Sequence, residues 1–317
     1  MSNRTTSRVL AAATALLVLG AGAGCSDGGP AGADPQRVDV VAAFYPLQFL
    51  AERIGGDAVR VTNLARPGAE PHDLELSPKQ VGQVSDAELI VYLKGFQPAV
   101  DEAIAQSGGD RVFDVASVQP LLDVSAGGHD HDHGDDEQGE EEHGGGKDPH
   151  VWLDPTRLAG IGDQLAKRLG EADPAHAADY TTRAAALRAD LTRLDGEFTE
   201  GLRTCQRREI VTSHTAFGYL ADRYQLEQIG ITGLSPDVEP SPQRLAQVIE
   251  EAKEHQATTI FFETLVSPKV AETIAGQVGA KTAVLDPLEG LAAGSDADYL
   301  SVMRTNLETL RTALSCS

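Results

Sequence analysis

The chain has 317 residues and is strongly acidic, with 48 Asp and Glu against 26 Lys and Arg and a formal net charge of −22 at pH 7. Such a surface repels nucleic acid and attracts cations, so we expect no nucleic-acid partner. The length is large for a single hydrophobic core and favours two domains. Beyond the N-terminal region, no stretch reaches the ~18 apolar residues that span a bilayer.

Residues 1–24 are typical of an export signal. Arg4 and Arg8 precede an apolar stretch over residues 9–19, and small residues then lead to Cys25. This arrangement resembles a lipoprotein signal in which Cys25 becomes the lipid-bearing first residue, although Gly22 stands where such signals usually carry Leu, Val or Ile. The alternative is ordinary secretory cleavage nearby. We therefore expect an extracytoplasmic protein that is lipid-anchored to the cell membrane through a flexible tether, residues 25–37.

Apart from Cys25, the cysteines are Cys205 and Cys316. In an oxidising compartment two such residues most simply form a disulfide with each other. Two unpaired thiols are the alternative.

Short β-branched segments alternate with amphipathic helical patterns in both halves of the chain. The predicted strands are residues 38–47, 59–65, 88–93, 111–115, 208–214, 226–232, 258–264 and 281–286. This alternation favours parallel sheets covered by helices on both faces. Helix starts are predicted at Ser77-Pro78, Asp154-Pro155, Asp173-Pro174, Ser241-Pro242 and Ser267-Pro268, and a last helix over residues 297–314.

One predicted helix, residues 173–204, is long and carries a single apolar stripe from Tyr180 to Phe198. It suits a stiff connector between two lobes. The predicted fold is therefore α/β, with two (βα)4 parallel-sheet lobes over residues 38–172 and 205–317, joined by this helix.

Candidate metal ligands follow the predicted strands, at the end of a parallel sheet where ligands commonly bind. His214 and Asp286 each end a strand, His72 lies beyond the second strand, and His150 comes late in the first lobe. A cleft between the lobes would bring the four together. Three imidazoles and one carboxylate suit a borderline cation such as Zn²⁺. A lone histidine more often has a structural role than a ligand role. Three histidines in equivalent places, together with a carboxylate at a strand end, indicate metal ligands more strongly.

Residues 127–146 have almost no apolar side chain and are predicted to form a mobile loop. The loop is either a solvated acidic linker or a low-affinity collector of zinc. Its possible donors are His129, His131, His133 and His143.

Four segments carry a resemblance to a known family. They are PHDLELSP, HVWLDP after the His-rich loop, TSHTAFGYLADRY after the connector helix, and LDPL near the C-terminus. In order and spacing the chain resembles the ZnuA-type zinc-binding lipoproteins, the substrate-binding subunits of zinc/manganese ABC transporters. The resemblance covers essentially all of residues 38–317, in addition to the signal.

The resemblance implies a high-affinity Zn²⁺ carrier that is a monomer and delivers its ion to an ABC-transporter permease. Its implied ligands are His72, His150, His214 and Asp286. Manganese-binding relatives tend to have a carboxylate at the third position, so His214 favours zinc. The resemblance also favours the collector role for the loop. Glu263, which ends a predicted strand, is either a hydrogen-bond acceptor for a ligand histidine or a carboxylate of the cleft wall.

Two alternative functions can be weighed against the sequence. A zinc hydrolase needs an open coordination position and a general base, often within HExxH, and the sequence contains neither HExxH nor GxSxG. Four protein ligands would close the Zn²⁺ shell, which argues for carriage over catalysis. An extracellular metal sink or adhesin without a transporter partner is the second alternative, and transporter genes beside this one would argue against it.

Overall fold

Two four-stranded parallel sheets form the framework of the protein in the computed structural model, which describes residues 37–124 and 146–317. The first sheet has the order β2-β1-β3-β4 and contains β1 (Val38–Ala42), β2 (Val59–Asn63), β3 (Leu89–Tyr92) and β4 (Val112–Asp114). The second has the order β6-β5-β7-β8 and contains β5 (Glu209–Thr212), β6 (Glu227–Gly230), β7 (Thr259–Phe262) and β8 (Lys281–Val284). Every strand pair is parallel, as the alternating pattern predicts.

Helices connect the strands in both halves. The first half contains α1 (Tyr45–Gly55), α2 (Pro78–Asp86), α3 (Pro98–Ser107) and α4 (Val115–Val118). Next come α5 (Pro155–Ala172) and α6 (Ala177–Gly201), and the second half contains α7 (Gly218–Tyr224), α8 (Pro242–Glu254), α9 (Lys269–Val278) and α10 (Tyr299–Ala313). In both sheets the strand order reverses beside the first strand, which places a ligand crevice at the carboxyl ends of the strands.

Most predicted helix starts agree with the structure. Ser77 forms a capping box with Gln80, Asp154 caps α5, and Ser241 caps α8. The prediction for Ser267 is wrong, because α9 begins at Lys269 after Pro268 and no side chain caps its first turn.

Asp173-Pro174 opens a 3₁₀ turn, Pro174–His176, and α6 begins only at Ala177. The Asp173 carboxylate is engaged by His176 Nδ1 and the Tyr180 hydroxyl, so it does not cap the helix N–H groups.

The connector helix α6 is tightly integrated into the fold. Its predicted apolar stripe is buried throughout: Tyr180, Ala184, Leu187, Leu191, Leu194 and Phe198. The helix contacts α1 and α5 from the first half of the chain and α10 from the second half. Through these contacts α6 packs against elements of both halves. Residues Pro35–Ser317 accordingly form one compact unit, and the lobe boundaries at 172 and 205 stay predictions.

Among the described residues, no helix combines the length and the apolar character required to cross a bilayer.

A disulfide joins Cys205 and Cys316, which are 111 residues apart. Cys205 follows α6 and Cys316 follows α10, so the bond holds the C-terminus of the chain near the start of the second sheet. The structure thus pairs the same two cysteines that the sequence suggests as partners.

We expect the Cys205→Ser, Cys316→Ser double variant to unfold at lower denaturant concentration than the wild type. In the chain-entropy model, closing a loop of this length contributes up to about 4–5 kcal/mol, and measured values are often lower. Metal binding should survive, because neither sulfur lies among the candidate ligands. The bond would be disproved if mass spectrometry found both thiols alkylated in folded, unreduced protein.

Candidate metal centre

Three histidines from separate loops converge at the carboxyl ends of the strands. His72 lies between β2 and α2, His150 lies directly before the 3₁₀ turn Val151–Leu153, and His214 lies two residues after β5. They are 8%, 0% and 1% exposed. The structure thus brings together the three histidines that the sequence singled out.

Glu289 provides the fourth donor of the group. Its Oε1 atom lies 3.3 Å from His72 Nε2, 3.1 Å from His150 Nε2 and 3.0 Å from His214 Nε2. One candidate donor atom from each of the four residues lies within 4.8 Å of all the others. Within residues 37–124 and 146–317, this is the group of His, Cys, Asp or Glu side chains that could hold a metal ion.

Asp286 does not belong to the group, which corrects the predicted fourth ligand. Its Oδ1 accepts from the backbone N–H of Leu288 at 2.8 Å, and its Oδ2 accepts from the Thr264 hydroxyl at 2.8 Å. Leu288 has a positive φ of 58°, and the chain turns there toward Glu289. Asp286 therefore stabilises the turn that presents Glu289, and its carboxylate is occupied in doing so.

Asp148 holds the ring of His150. Its Oδ1 atom accepts from the His150 backbone N–H at 2.9 Å and lies 2.8 Å from His150 Nδ1. With Nδ1–H donated to this carboxylate, Nε2 is the nitrogen left for a metal ion. Asp148 was not among the residues predicted from the sequence, although its position two residues before a candidate ligand was a usable signal.

Glu263 stands in the same relation to His214. Its Oε1 atom lies 2.8 Å from His214 Nδ1 and accepts from the Ser213 hydroxyl at 2.6 Å. Glu263 is 3% exposed, so this contact is shielded from water. The geometry agrees with the acceptor role suggested for Glu263 and not with a plain carboxylate of the cleft wall.

His72 is held through its backbone and its ring face. Its N–H donates to both carboxylate oxygens of Glu70, at 3.1 Å and 2.9 Å. The ring meets Phe96 edge-on, with centroids 4.6 Å apart, and the buried Gln97 amide donates to the carbonyl of the preceding Pro71 at 3.0 Å. Burial raises the pKa of Glu70 to about 9, and the nearby Glu289 carboxylate adds to the rise.

Burial normally lowers the pKa of a histidine, but nearby carboxylates raise the pKa of two of these histidines. Burial lowers the pKa of His214, but hydrogen bonds to Glu263 and Glu289 outweigh it and raise that pKa to about 10. The pKa of His150 is likewise raised, because Asp148 and Glu289 outweigh burial. Burial alone would raise the pKa of Glu289, but hydrogen bonds to the histidines hold it well below its usual range. The carboxylates therefore favour the protonated form of these two imidazoles, and the histidines favour the ionised form of Glu289.

The donor set and its spacing fit a tetrahedral Zn²⁺ ion. Zinc–nitrogen bonds of about 2.0–2.1 Å place tetrahedral donors about 3.3 Å apart. The carboxylate oxygen lies 3.0–3.3 Å from each of the three Nε2 atoms. The donor atoms all lie within 4.8 Å of one another, so a tetrahedral ion could be held once the remaining donor pairs close to about 3.3 Å.

The predicted lipid attachment residue Cys25 and the auxiliary histidines of the 127–146 loop lie outside the described residues. These auxiliary residues are His129, His131, His133 and His143.

Known proteins resemble this chain over most of its length. The ZnuA family model, described as a periplasmic zinc-uptake complex component A, matches residues 40–313. The high-affinity zinc uptake system protein ZnuA of Bacillus subtilis is 35% identical over 310 residues, with 95% of each chain covered.

The zinc-binding protein AdcA of Streptococcus pyogenes is 37% identical over 286 residues, which cover 87% of this chain and 56% of that protein. This chain therefore spans about half the length of the streptococcal AdcA proteins that it matches.

A solved structure extends the likeness to three dimensions. The laminin-binding protein Lmb of Streptococcus agalactiae, described as bifunctional with adhesin and metal transporting activity, aligns with a TM-score of 0.75 and 33% identity. The alignment covers 87% of this chain and 99% of that one.

Proposed function

Because the chain belongs to the ZnuA family of zinc-uptake components, we propose that it captures Zn²⁺ outside the cytoplasm and delivers it to an ABC-transporter permease. The observation that carries the proposal is the buried group of three imidazole nitrogens around one carboxylate oxygen. The proposed ligands are His72, His150, His214 and Glu289.

The ligand types favour zinc over manganese. Mn²⁺ prefers oxygen donors, whereas three of the four donors here are imidazole nitrogens. Asp148 and Glu263 accept hydrogen bonds from two of these imidazoles, which increases their basicity and strengthens them as ligands.

The same site argues for carriage and against catalysis. Four protein donors fill the shell of a tetrahedral Zn²⁺ and leave no position for an activated water. Glu289 lies among the ligands at 1% exposure, so it does not stand apart as a general base.

We place the protein at the cell membrane, anchored by a lipid on Cys25 and acting as a monomer. The family description as a periplasmic component agrees with a location outside the cytoplasm. The N-terminal tether would keep the carrier near its permease.

A metal-binding adhesin is the second candidate, because the streptococcal protein Lmb is described as having both adhesin and metal transporting activity. The two functions differ in one observation. Deleting the gene should abolish growth on scarce zinc if the protein supplies a permease, whereas loss of surface attachment alone would support adhesion.

We expect calorimetry of the metal-free mature protein to show one tight Zn²⁺ site. Mn²⁺ should compete for this site only weakly, since Mn²⁺ gains less from nitrogen donors.

A variant lacking residues 127–146 should bind fewer weakly held Zn²⁺ ions and should keep the tight site, because the four proposed ligands lie elsewhere. Loss of the tight site in that variant would contradict the proposed ligand set, and equal affinity for both metals would contradict zinc selectivity.

A further inference from the structure

The position of His150 depends on a contact between two segments that are far apart in the sequence. Asp148, which accepts from His150, has its second carboxylate oxygen directed at Gly218, the first residue of α7. A Cβ atom added at Gly218 would lie 2.6 Å from that Oδ2 atom. Since real Cβ atoms essentially never approach so closely, any other residue at this point would force the Asp148 carboxylate to shift.

The backbone does not supply another reason for the glycine. Gly218 is absent from the glycines with positive φ in the described chain, so its conformation suits any L-residue. The need for glycine thus comes from the Asp148 carboxylate alone.

The next residue of α7 fixes the backbone of Asp148. The Tyr219 hydroxyl donates to the Asp148 carbonyl at 2.9 Å and accepts from the Leu122 N–H at 2.8 Å. Asp148 N–H in turn donates to the Leu122 carbonyl at 2.9 Å. Asp148 is therefore held at its N–H, its carbonyl and its carboxylate, and it is only 5% exposed.

The elements involved join the two halves of the site. The helix α7 begins four residues after His214, whereas Asp148 lies two residues before His150. The contacts between α7 and Asp148 therefore link the segment that carries His150 to the helix that follows His214, and the ring centroids of the two imidazoles lie 5.3 Å apart.

We propose that Asp148 is the positioning residue for His150 and that Gly218 provides the space its carboxylate requires. The proposal rests on the function proposed above and adds two residues to it that do not touch the ion. A functional site tolerates displacements of only about 0.5 Å, so a methyl group at Gly218 would move Asp148 far enough to misplace His150.

The test compares Gly218→Ala with Gly276→Ala, a glycine of α9 whose added Cβ would meet nothing within 4 Å. We expect Gly218→Ala to weaken Zn²⁺ binding by about 10- to 100-fold, as is typical when the partner of a ligand histidine is disturbed. The absorption spectrum of bound Co²⁺ should change in parallel. Gly276→Ala should bind Zn²⁺ and Co²⁺ as the wild type does.

A double-mutant cycle separates positioning from general damage to the fold. In a His150→Ala background, Gly218→Ala should cause no further loss of Zn²⁺ affinity. Asp148→Ala, which removes the acceptor of the His150 Nδ1–H group, should also weaken binding and alter the Co²⁺ spectrum, so the proposal remains testable if Gly218→Ala does not fold.

Three results would overturn the proposal. The first is wild-type Zn²⁺ affinity and Co²⁺ spectrum in Gly218→Ala, and the second is the same outcome in Asp148→Ala. The third is an equal loss of Zn²⁺ affinity from Gly218→Ala with and without His150. A wild-type protein that takes up no Zn²⁺ would instead refute the proposed function, and the positioning role with it.

Discussion

Glu289→Gln is expected to weaken Zn²⁺ binding by at least tenfold, which corresponds to about 1.4 kcal/mol. The Glu289 carboxylate contacts the Nε2 atoms of all three histidines and is 1% exposed. The substitution keeps the size of the side chain but removes the negative charge that offsets the cation in a buried site. The measurement is a Zn²⁺ titration in competition with a chelator.

The matched control is Asp286→Asn, at the residue that the sequence analysis favoured. Asn retains an oxygen that can accept from the Leu288 N–H, so the turn before Glu289 should persist. We expect its Zn²⁺ affinity to remain within a few-fold of the wild type. If Asp286→Asn lost tight binding and Glu289→Gln kept it, the sequence-based assignment would be right after all.

His214→Ala should weaken binding by a similar factor or more, because it removes one of four donors. It also leaves Glu263 buried without its imidazole partner. Unchanged affinity in this variant would contradict the whole ligand set.

The architecture was predictable because both sheets are built from short apolar strands separated by amphipathic helices. Strands such as Leu89–Tyr92 are completely buried and read as continuous hydrophobic segments in the sequence. The stripe on α6 repeats every three or four residues, so its burial could be deduced from helical geometry.

Glu289 was harder to find than the histidines, because its position depends on the shape of a loop. It lies five residues beyond β8, past the positive-φ turn at Leu288. Asp286 is closer to the strand end and therefore matches the general rule for parallel sheets better. That rule cannot reveal that Thr264, from another strand's loop, engages the Asp286 carboxylate.

The contacts around Asp148 show a second reason why the sequence falls short. Asp148 and Gly218 are 70 residues apart in numbering and meet only because α7 folds against the segment that carries His150. Gly218 is the first residue of α7, and nothing in the neighbouring sequence indicates that the Asp148 carboxylate lies against it. By contrast, Cys205 and Cys316 could be paired across a greater separation, since the choice of partners was so small.

Zinc affinity is expected to fall steeply with acidification and to be accompanied by proton release. A ligand histidine must be neutral to bind the ion. The pKa of His214 is raised to about 10, so we expect its imidazole to carry a proton at neutral pH in the metal-free protein, and the pKa of His150 is raised as well. Each proton displaced lowers the apparent affinity about tenfold for each pH unit below the histidine pKa.

The measurement is calorimetry of Zn²⁺ binding at pH 7.5 in buffers of different ionisation enthalpy. Roughly one to two protons should be released per Zn²⁺ bound. Apparent affinity should rise with pH until it levels off near the raised pKa of His214, because the competing protons are then lost without the metal. Glu263→Gln removes the carboxylate whose hydrogen bond is the largest single cause that raises the His214 pKa, so this variant should release fewer protons at the same pH. An enthalpy independent of the buffer, with affinity constant between pH 6 and pH 8, would mean that the imidazoles are already neutral before zinc arrives and that the surrounding carboxylates do not control their charge.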